Sequence, residues 1–436
     1  MNVGILGGGL TGLASAFSLQ QAGHHVTVYE RRGRAGGTIA TRHRDGFVLE
    51  QGAGSVRGAS RDVYQLFVDA GLADRLLPSS EAASNRYLLH EGALAALPSG
   101  PADVLSTPGL GRRAALRMIQ EPFRPPARVA GEETVHAFLS RRIGARATDA
   151  LADPMMAGIF GGDPKQIEVG SAFPAWVRYE QEHGSMVRGV LRNRTAPPQG
   201  LPKGTFSVQG GIGVLTETLA AHLGAAVRTD ASVAAIEPER SRVTVHVDGH
   251  AVVHDQLLVT APQSAVRGVL PGIPQGWLDD LPSAKLAAIH LAYDGDDVPG
   301  GLPGFGWLAH SAQRSDVLGC LWVSGTFPSH APAGKHLLRF MVGGSRAPTL
   351  ADRDDDALIE HARALARDVQ GVTAAPLFAE VDRAVIPQYP VGFARRLRLL
   401  DQVHPRVRFG GWWWGQLGVA ASAELAARLV RDWRNR

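Results

Sequence analysis

Cysteine is almost absent from this 436-residue chain. Cys320 stands alone, which excludes an intrachain disulfide, a CxxC redox pair and any cysteine-based metal cluster, and points to a reducing compartment. Excess charge is also lacking. Lys and Arg total 45 against 41 Asp and Glu, a formal net charge of +4, too mild at this size for the electrostatic footprint of a nucleic-acid partner. No window approaches the roughly 18 uninterrupted apolar residues that cross a bilayer, so membrane contact would have to be peripheral. Met1 leads directly into Asn2-Val3-Gly4-Ile5-Leu6, without the charged start, apolar stretch and small-residue cleavage site of a signal peptide. The expected location is the cytoplasm. Internal repeats and low-complexity tracts are missing as well. What is present is a globular composition, 44% hydrophobic, in a chain long enough for two or three domains with a substantial core.

Residues 2–30 read as strand, glycine turn, helix, strand: an apolar run to Leu6, Gly7 to Gly12, the stretch Leu13 to Leu19, then His25-Val26-Thr27-Val28-Tyr29-Glu30. This is a βαβ unit. Residues 60–76 have a helical apolar spacing, with Val63, Leu66, Phe67 and Leu72, and lead to a strand at Arg86-Tyr87-Leu88-Leu89. From Pro98 to about Arg128 the chain is rich in Pro, Gly and Arg. Within it, Leu110 to Met118, with Arg112, Arg113 and Arg117, predicts a basic amphipathic helix that either meets a membrane surface or turns a solvated face outward. Helical patterns run from Val135 to Ala157, followed by a loop-rich stretch through Lys203. Gly204-Thr205-Phe206-Ser207, Gly210-Gly211 and a helix from Gly213 to Leu223 then return the chain to the nucleotide-binding part. Short strands come next at Val227, at Val233 to Ile236, through Val243, Val245 and Val247, and at Leu257-Leu258-Val259. Residues 263–397 alternate strands, such as Leu286 to Leu291 and Leu337 to Met341, with a long helix around Asp356 to Gln370, an α+β pattern read as a separate substrate domain. A strand Val407-Arg408-Phe409 ends at Gly410-Gly411, and a helix from Ser422 to Trp433 closes the chain.

Gly7-Gly8-Gly9-Leu10-Thr11-Gly12 satisfies GxGxxG after a strand and at the start of a helix, where such a motif binds a dinucleotide. The first glycine permits the tight turn, Gly9 admits the pyrophosphate, and Gly12 allows close helix–sheet packing, while free helix amides face the phosphates. Glu30 ends the second strand, where a carboxylate accepts from ribose hydroxyls. After Glu30 the chain runs Arg31-Arg32-Gly33-Arg34-Ala35-Gly36-Gly37-Thr38 and then Leu49-Glu50-Gln51-Gly52, an extension that NAD enzymes do not need. A glycine pair lets backbone pass a bulky ligand, and an arginine beside a pyrophosphate donates charge-assisted hydrogen bonds. The dinucleotide expected is FAD. Of Arg31, Arg32 and Arg34, only one need touch phosphate.

Beyond these motifs stand Pro154-Met155-Met156-Ala157-Gly158-Ile159-Phe160-Gly161-Gly162-Asp163-Pro164, Ser171-Ala172-Phe173-Pro174 and Lys203 to Ser207. Further on come Gly304-Phe305-Gly306, Phe327-Pro328 with Ala331-Pro332, Val342-Gly343-Gly344-Ser345-Arg346, and Ile386-Pro387-Gln388-Tyr389. With them the chain resembles, nearly end to end, the flavin amine oxidase superfamily and, within it, the protoporphyrinogen/coproporphyrinogen oxidases. The resemblance implies an α/β fold in three parts. A discontinuous Rossmann-type FAD domain would take residues 1–80, 203–262 and 398–436; an α+β substrate domain 81–88 and 263–397; and a helical, membrane-associating insertion 89–202. It implies oxidation of a porphyrinogen to a porphyrin in three hydride transfers, with molecular oxygen as acceptor and peroxide as by-product. A tetrapyrrole substrate, peripheral membrane contact and no nucleic acid are the partners implied, with a homodimer left open.

Residue by residue, Arg86 matches an arginine that pairs with a substrate propionate. Gly158 matches a glycine beside the macrocycle, Leu308 and Leu321 match residues that sandwich a pyrrole ring, and Met341 stands where plant members carry phenylalanine. The cofactor contacts implied are Gly7, Gly9, Leu10, Thr11, Gly12, Glu30, Arg31, Gly36, Gly37, Thr38, Gly52, Ala53, Gly54, Ser55, Val233, Trp412, Gly418 and Val419, with Val233 reading adenine through its backbone. No side chain is assigned as a general base, since hydride transfer to flavin needs orientation more than a protic group. The chain departs from the family pattern at Ala53, Gly54 and Val56, at Gly411 to Trp414, and at Phe393. These changes leave open two other readings: a diverged flavin oxidase for another apolar polycycle or an amine, with Trp412, Trp413 and Trp414 lining its pocket, and a flavin-binding protein without turnover.

Overall fold

The computed structural model describes residues 1–436 apart from 58–59, 98–109, 127–131, 194–197, 274–275, 277–280 and 434–436. Three separated stretches of sequence build one five-stranded sheet. Its order is Val227–Arg228, His25–Tyr29, Asn2–Leu6, Gln256–Val259, Val407–Phe409, and every pairing is parallel. The strands are short apolar runs buried on both faces, with Val3, Ile5, Val28, Leu257 and Leu258 fully out of water, as a parallel sheet covered by helices requires. Helices Leu10–Gln21, Gly213–Leu223 and Val419–Trp433 supply that cover through Leu13, Phe17, Leu215, Leu219, Leu425 and Leu429. The last helix begins at Val419, three residues ahead of the expected Ser422.

A seven-stranded sheet forms the second body. Its order is Phe378–Pro387, Ser283–Asp294, Lys335–Gly343, Gly319–Trp322, Gly306–Ala309, Tyr87–His90, Ala93–Ala96. Both strands of the hairpin Tyr87–His90/Ala93–Ala96 belong to this sheet, so the expected start of the helical insertion at 89 moves beyond Ala96. Strand alternation sorts the residues by face. Ile289, Leu291, Trp307, Cys320, Phe340 and Val342 pack on helix Asp355–Gln370 through Leu358, Ala362 and Leu365. Paired registers put Leu308, Leu321, Arg339, Met341 and His290 together on the opposite face.

The third body is helical. Residues expected to be loop-rich up to Lys203 instead contain helices Val169–Ala172, Pro174–His183 and Met186–Arg192, which join Arg112–Ile119, Val135–Ile143 and Ala145–Phe160 around a common apolar core. Their brevity explains the difference: Pro174 starts one, Gly184 at φ +71° ends it, and Ser185 caps the next by accepting from Arg188 N, so no helix is long enough to show a sustained period. Of the segment 98–128, residues 98–109 and 127–128 lie outside the described residues. Among the described residues no helix is long and apolar enough to cross a membrane.

Candidate active site

The cradle for the dinucleotide is made of backbone held at unusually short range. Gly7 turns the chain at φ +107°, and a Cβ on Gly12 would collide with the Gly7 carbonyl. Gly36 N donates to Gly8 O at 2.8 Å, and a Cβ on Gly37, itself at φ +63°, would lie 2.9 Å from Gly9 Cα. The second glycine pair therefore serves approach to the first glycine turn, a tighter demand than clearance for a ligand alone. Helix Leu10–Gln21 begins at Gly9 with no side chain capping its first amides, which leaves them for phosphate. Glu30 is buried and turned into the same corner, accepting from Gly8 N at 2.8 Å and Arg32 N at 2.9 Å. Strand pairing and hydrogen bonds bring 228–231 alongside, with Ala231 N donating to Glu30 O at 2.9 Å, and half-buried Val233 follows two residues later. Arg31 is exposed and makes no hydrogen bond or ion pair among the described residues. Arg34 instead ties Gly37 O to Gln51 Oε1, at 3.3 and 3.2 Å.

The turn 51–55 leads from this cradle to the seven-stranded sheet. Gly52 rests on the Thr38 carbonyl, where a Cβ would collide, and the Gly54 carbonyl accepts from Ser207 Oγ at 2.9 Å, which accounts for the Lys203 to Ser207 motif. Glu50, just before the turn, accepts from Thr41 Oγ1 at 2.7 Å and Ile212 N at 2.8 Å; burial raises its carboxyl pKa against those bonds. At the C-terminal end, Thr11 Oγ1 lies 2.8 Å from Ser422 Oγ and locks the first helix to the last. Gly418 holds φ +98° ahead of buried Val419. Trp412 is half-buried and its carbonyl accepts from the Tyr389 hydroxyl. Trp414 does not line a pocket: it is 2% exposed and donates to Ala261 O at 3.0 Å from inside the core.

On the sheet face opposite helix Asp355–Gln370, the expected substrate residues converge. Leu308 and Met341 both face Gly319, and a Cβ on Gly158 would lie 2.9 Å from Leu308 Cδ2, so the helix Ala145–Phe160 comes down on the sheet at that glycine. Met341 packs with Ala157, Leu286, Leu318 and Ile386. Leu321 lines a small cavity of about 20 Å³ together with Glu50, Gly54 and Ser55 from the turn, and Phe305, His290, His330 and Arg339. Of the expected substrate residues, Leu321 lines this cavity, together with Gly54 and Ser55 of the turn. Arg86 lies over the Phe305 ring at 4.6 Å, and burial, followed by the Arg57 charge, lowers its pKa. The remaining motifs are ties between the bodies: Gln388 Nε2 donates to Phe160 O at 2.9 Å, Ser345 N to Gly161 O at 2.8 Å, and Arg346 Nη2 to Asp153 Oδ2 at 2.7 Å.

Sequence reasoning passed over His290, His330, Arg339 and Asp382, all buried. A signal existed for two of them. His290 and Arg339 interrupt strands that are otherwise apolar, Ala287-Ala288-Ile289-His290-Leu291 and Leu337-Leu338-Arg339-Phe340-Met341, and polar residues so placed are rare without a purpose.

Against known proteins, the family described as flavin containing amine oxidoreductase matches residues 10–430. The coproporphyrinogen III oxidase of Staphylococcus aureus (strain NCTC 8325 / PS 47) is 28% identical over 94% of this chain and 94% of its own length. Protoporphyrinogen oxidase 2, chloroplastic/mitochondrial, of Arabidopsis thaliana is 27% identical over 98% of this chain and 93% of its own. Among solved structures, cyclohexylamine oxidase from Brevibacterium oxydans IH-35A has the same fold at 18% identity, with a TM-score of 0.69 over 100% of this chain and 99% of that one. The residues present fit FAD: uncapped helix amides beside Gly9, a glycine-on-glycine contact that leaves no side chain in the way, a carboxylate at Glu30, and a second turn at 51–55 reaching toward the sheet. With this cradle and a match covering nearly its whole length, the chain is an FAD-dependent oxidoreductase that belongs to the flavin containing amine oxidoreductase family.

Proposed function

We propose that the chain oxidises a porphyrinogen, protoporphyrinogen IX or coproporphyrinogen III, to the corresponding porphyrin in haem biosynthesis. Six electrons leave the macrocycle in three steps, and three molecules of oxygen take them up as peroxide. The observation that carries the reading is the convergence of Gly158, Leu308, Leu321 and Met341 on one sheet face that meets the 51–55 turn. The names of its relatives supply the substrate class. Bound FAD supplies the hydride acceptor. The chain's own work is to hold a flat apolar ring system against the sheet, exclude water around it, and pair its carboxylates with a cation. Arg86 is the cation for that role, half-buried and stacked on Phe305. FAD contacts are proposed for Gly7, Gly9, Gly12, Glu30, Gly36, Gly37, the 52–55 turn, Val233, Trp412, Gly418 and Val419. Arg31, exposed at the rim, would act only by reaching a phosphate.

The helical body carries the proposed membrane contact. Leu116, Ile119 and Phe123 are 56%, 51% and 80% exposed, with Val190 and Leu191 beside them at 46% and 59%. Arg112, Arg113, Arg188 and Arg192 surround them, with Arg188 over the Phe123 ring at 5.8 Å. Apolar groups rimmed by cations suit the interface of an anionic bilayer. Arg117 takes no part, because its guanidinium donates to Arg142 O and Arg141 O at 3.2 and 3.1 Å.

The purified yellow protein should develop porphyrin fluorescence when given coproporphyrinogen III or protoporphyrinogen IX in air, and the ratio of the two rates assigns the substrate. Yellow protein that forms no porphyrin from either would refute the reading. A second reading, an oxidase for an amine or another apolar polycycle, is favoured by half-buried Trp412 and Trp413, whose rings meet edge to face at 6.1 Å beside the flavin end of the last helix; amine-dependent peroxide release would support it.

A further inference from the structure

Arg339 sits in the middle of strand Lys335–Gly343 and is 7% exposed. The hydrogen bonds it makes among the described residues cross to the other body and end on backbone carbonyls. Nη1 donates to Gly52 O at 2.8 Å and Nη2 to Gln51 O at 3.1 Å, while Nε is buried without an acceptor. A buried guanidinium is normally neutralised by a carboxylate in contact with it. Two carboxylates are near enough for Arg339 to feel their charge, Glu50 and Asp382, yet neither bonds its guanidinium, whose hydrogen bonds among the described residues end on carbonyls. Glu50 is held by Thr41 and Ile212. Asp382 accepts from Arg42 Nη2 at 2.9 Å and lies 3.5 Å from His290 Nε2; burial would raise its pKa, but His290 and Arg42 together hold it low. His290, the register partner of Arg339 on the neighbouring strand, is wholly buried, and burial lowers its pKa, so it is neutral near pH 7. The carbonyls of the 51–52 turn thus hold a buried cation that no carboxylate contacts among the described residues.

We propose that Arg339 is a positioning residue for the flavin: it clamps the Gln51–Gly52 turn to the seven-stranded sheet, and its positive charge favours the reduced, anionic form of bound FAD over the oxidised form. Two-electron reduction with uptake of one proton leaves a net negative charge on the ring, which a nearby fixed cation stabilises. The inference rests on the 51–55 turn lying against FAD and is independent of which substrate donates the hydride.

The test is the two-electron reduction potential of the bound flavin, titrated with a chemical reductant and no porphyrinogen present. Arg339→Met should shift the reduction equilibrium roughly tenfold toward the oxidised form, the order expected for one charge at roughly 10 Å through an effective dielectric of about 20, or about 30 mV for this couple. Arg339→Lys should stay near the wild-type potential because it keeps the charge. Asp382→Asn removes a nearby negative charge and should move the potential in the opposite direction from Arg339→Met. If the Met variant does not fold, the Lys and Asn variants decide the matter. Potentials of Arg339→Met or Asp382→Asn that equal the wild type, or that move in the same direction, would overturn the proposal. Wild-type protein that turns over no porphyrinogen would refute the substrate assignment and leave these potentials readable.

Discussion

Gly37 shows how much a single hydrogen atom can decide. Its φ of +63° is strained for any L side chain, and the space a Cβ would need is 2.9 Å from Gly9 Cα. Gly37→Ala should therefore push the two glycine turns apart at a cost of about 1–3 kcal/mol, and it should be purified with less flavin per chain, read as the ratio of flavin to protein absorbance. Full flavin content in this variant would show that the two turns need not touch. Arg86 is a contrasting case, since its stacking partner is Phe305 of the substrate-side cavity rather than a glycine turn: Arg86→Ala should raise KM for a propionate-bearing substrate while flavin content stays at the wild-type level, and lost flavin would contradict its assignment to substrate. Two buried histidines predict an acid limit. Burial, with Arg228 adding to it, brings His254 down to about 4, and burial with His43 does the same for His330. An unfolded histidine titrates near ~6.5, so the unfolded chain binds the extra protons first. The stability these rings contribute is complete above pH ~6.5 and is lost as pH falls toward ~4, by roughly 3 kcal/mol per ring at the acid end. Urea midpoints at pH 7 and pH 5 would reveal it, and His330→Phe should flatten the difference.

At the scale of elements, charge holds the helical body together from inside. Arg142, Glu121 and Glu180 are all fully buried; the guanidinium of Arg142 bonds both carboxylates, and Arg141 joins Glu180 to Glu133. Glu121 also accepts from Ser185 Oγ at 2.5 Å and Met186 N at 3.0 Å, so one carboxylate ties the helix Met186–Arg192 to the turn before Arg124. Removing the Arg142 cation strands the buried Glu121 carboxylate, while Arg141 still pairs Glu180; leaving one buried charge without its partner costs about 3–5 kcal/mol. Arg142→Met should speed amide hydrogen exchange across 112–192 while the parallel sheet keeps its protection and the flavin stays bound. Equal loss of protection in both bodies would mean that they unfold as one unit.

Over the whole molecule, the exposed apolar residues of the helical body, Leu116, Ile119, Phe123, Val190 and Leu191, are neither part of the glycine cradle nor lining of the cavity at Leu321, which makes their surface chemistry separable from catalysis. Vesicles containing anionic lipid should bind the protein at low salt and release it as salt is raised, since the arginine contribution is screened within about 10 Å at 0.1 M. Phe123→Ser with Leu191→Ser should weaken binding without altering the flavin spectrum. Recovery of the wild type entirely in the unbound fraction at low salt would rule out the membrane contact.

The glycine turn, its helix and the strand ending at Glu30 could be read directly from the chain because their cause is local: Gly7, Gly9 and Gly12 act within six residues of one another, and the helix Gly213–Leu223 and the strand Val407–Phe409 fall where the apolar pattern put them. Hairpins at Asp45-Gly46 and Asp248-Gly249, both with positive φ at each residue, carried a readable Asp-Gly signal. The short helices between 169 and 192 did not announce themselves, because caps and tertiary packing stabilise them and no sustained period does. Which face of the seven-stranded sheet meets the 51–55 turn, that Trp414 is core, that Arg117 caps a neighbouring helix, and that Arg339 reaches the Gln51–Gly52 carbonyls were decided only in three dimensions. Residue 51 lies outside the seven-stranded sheet; strand register puts Arg339 on the face that meets the 51–52 turn, and register depends on how whole faces bury, which no neighbouring residue in the chain reports.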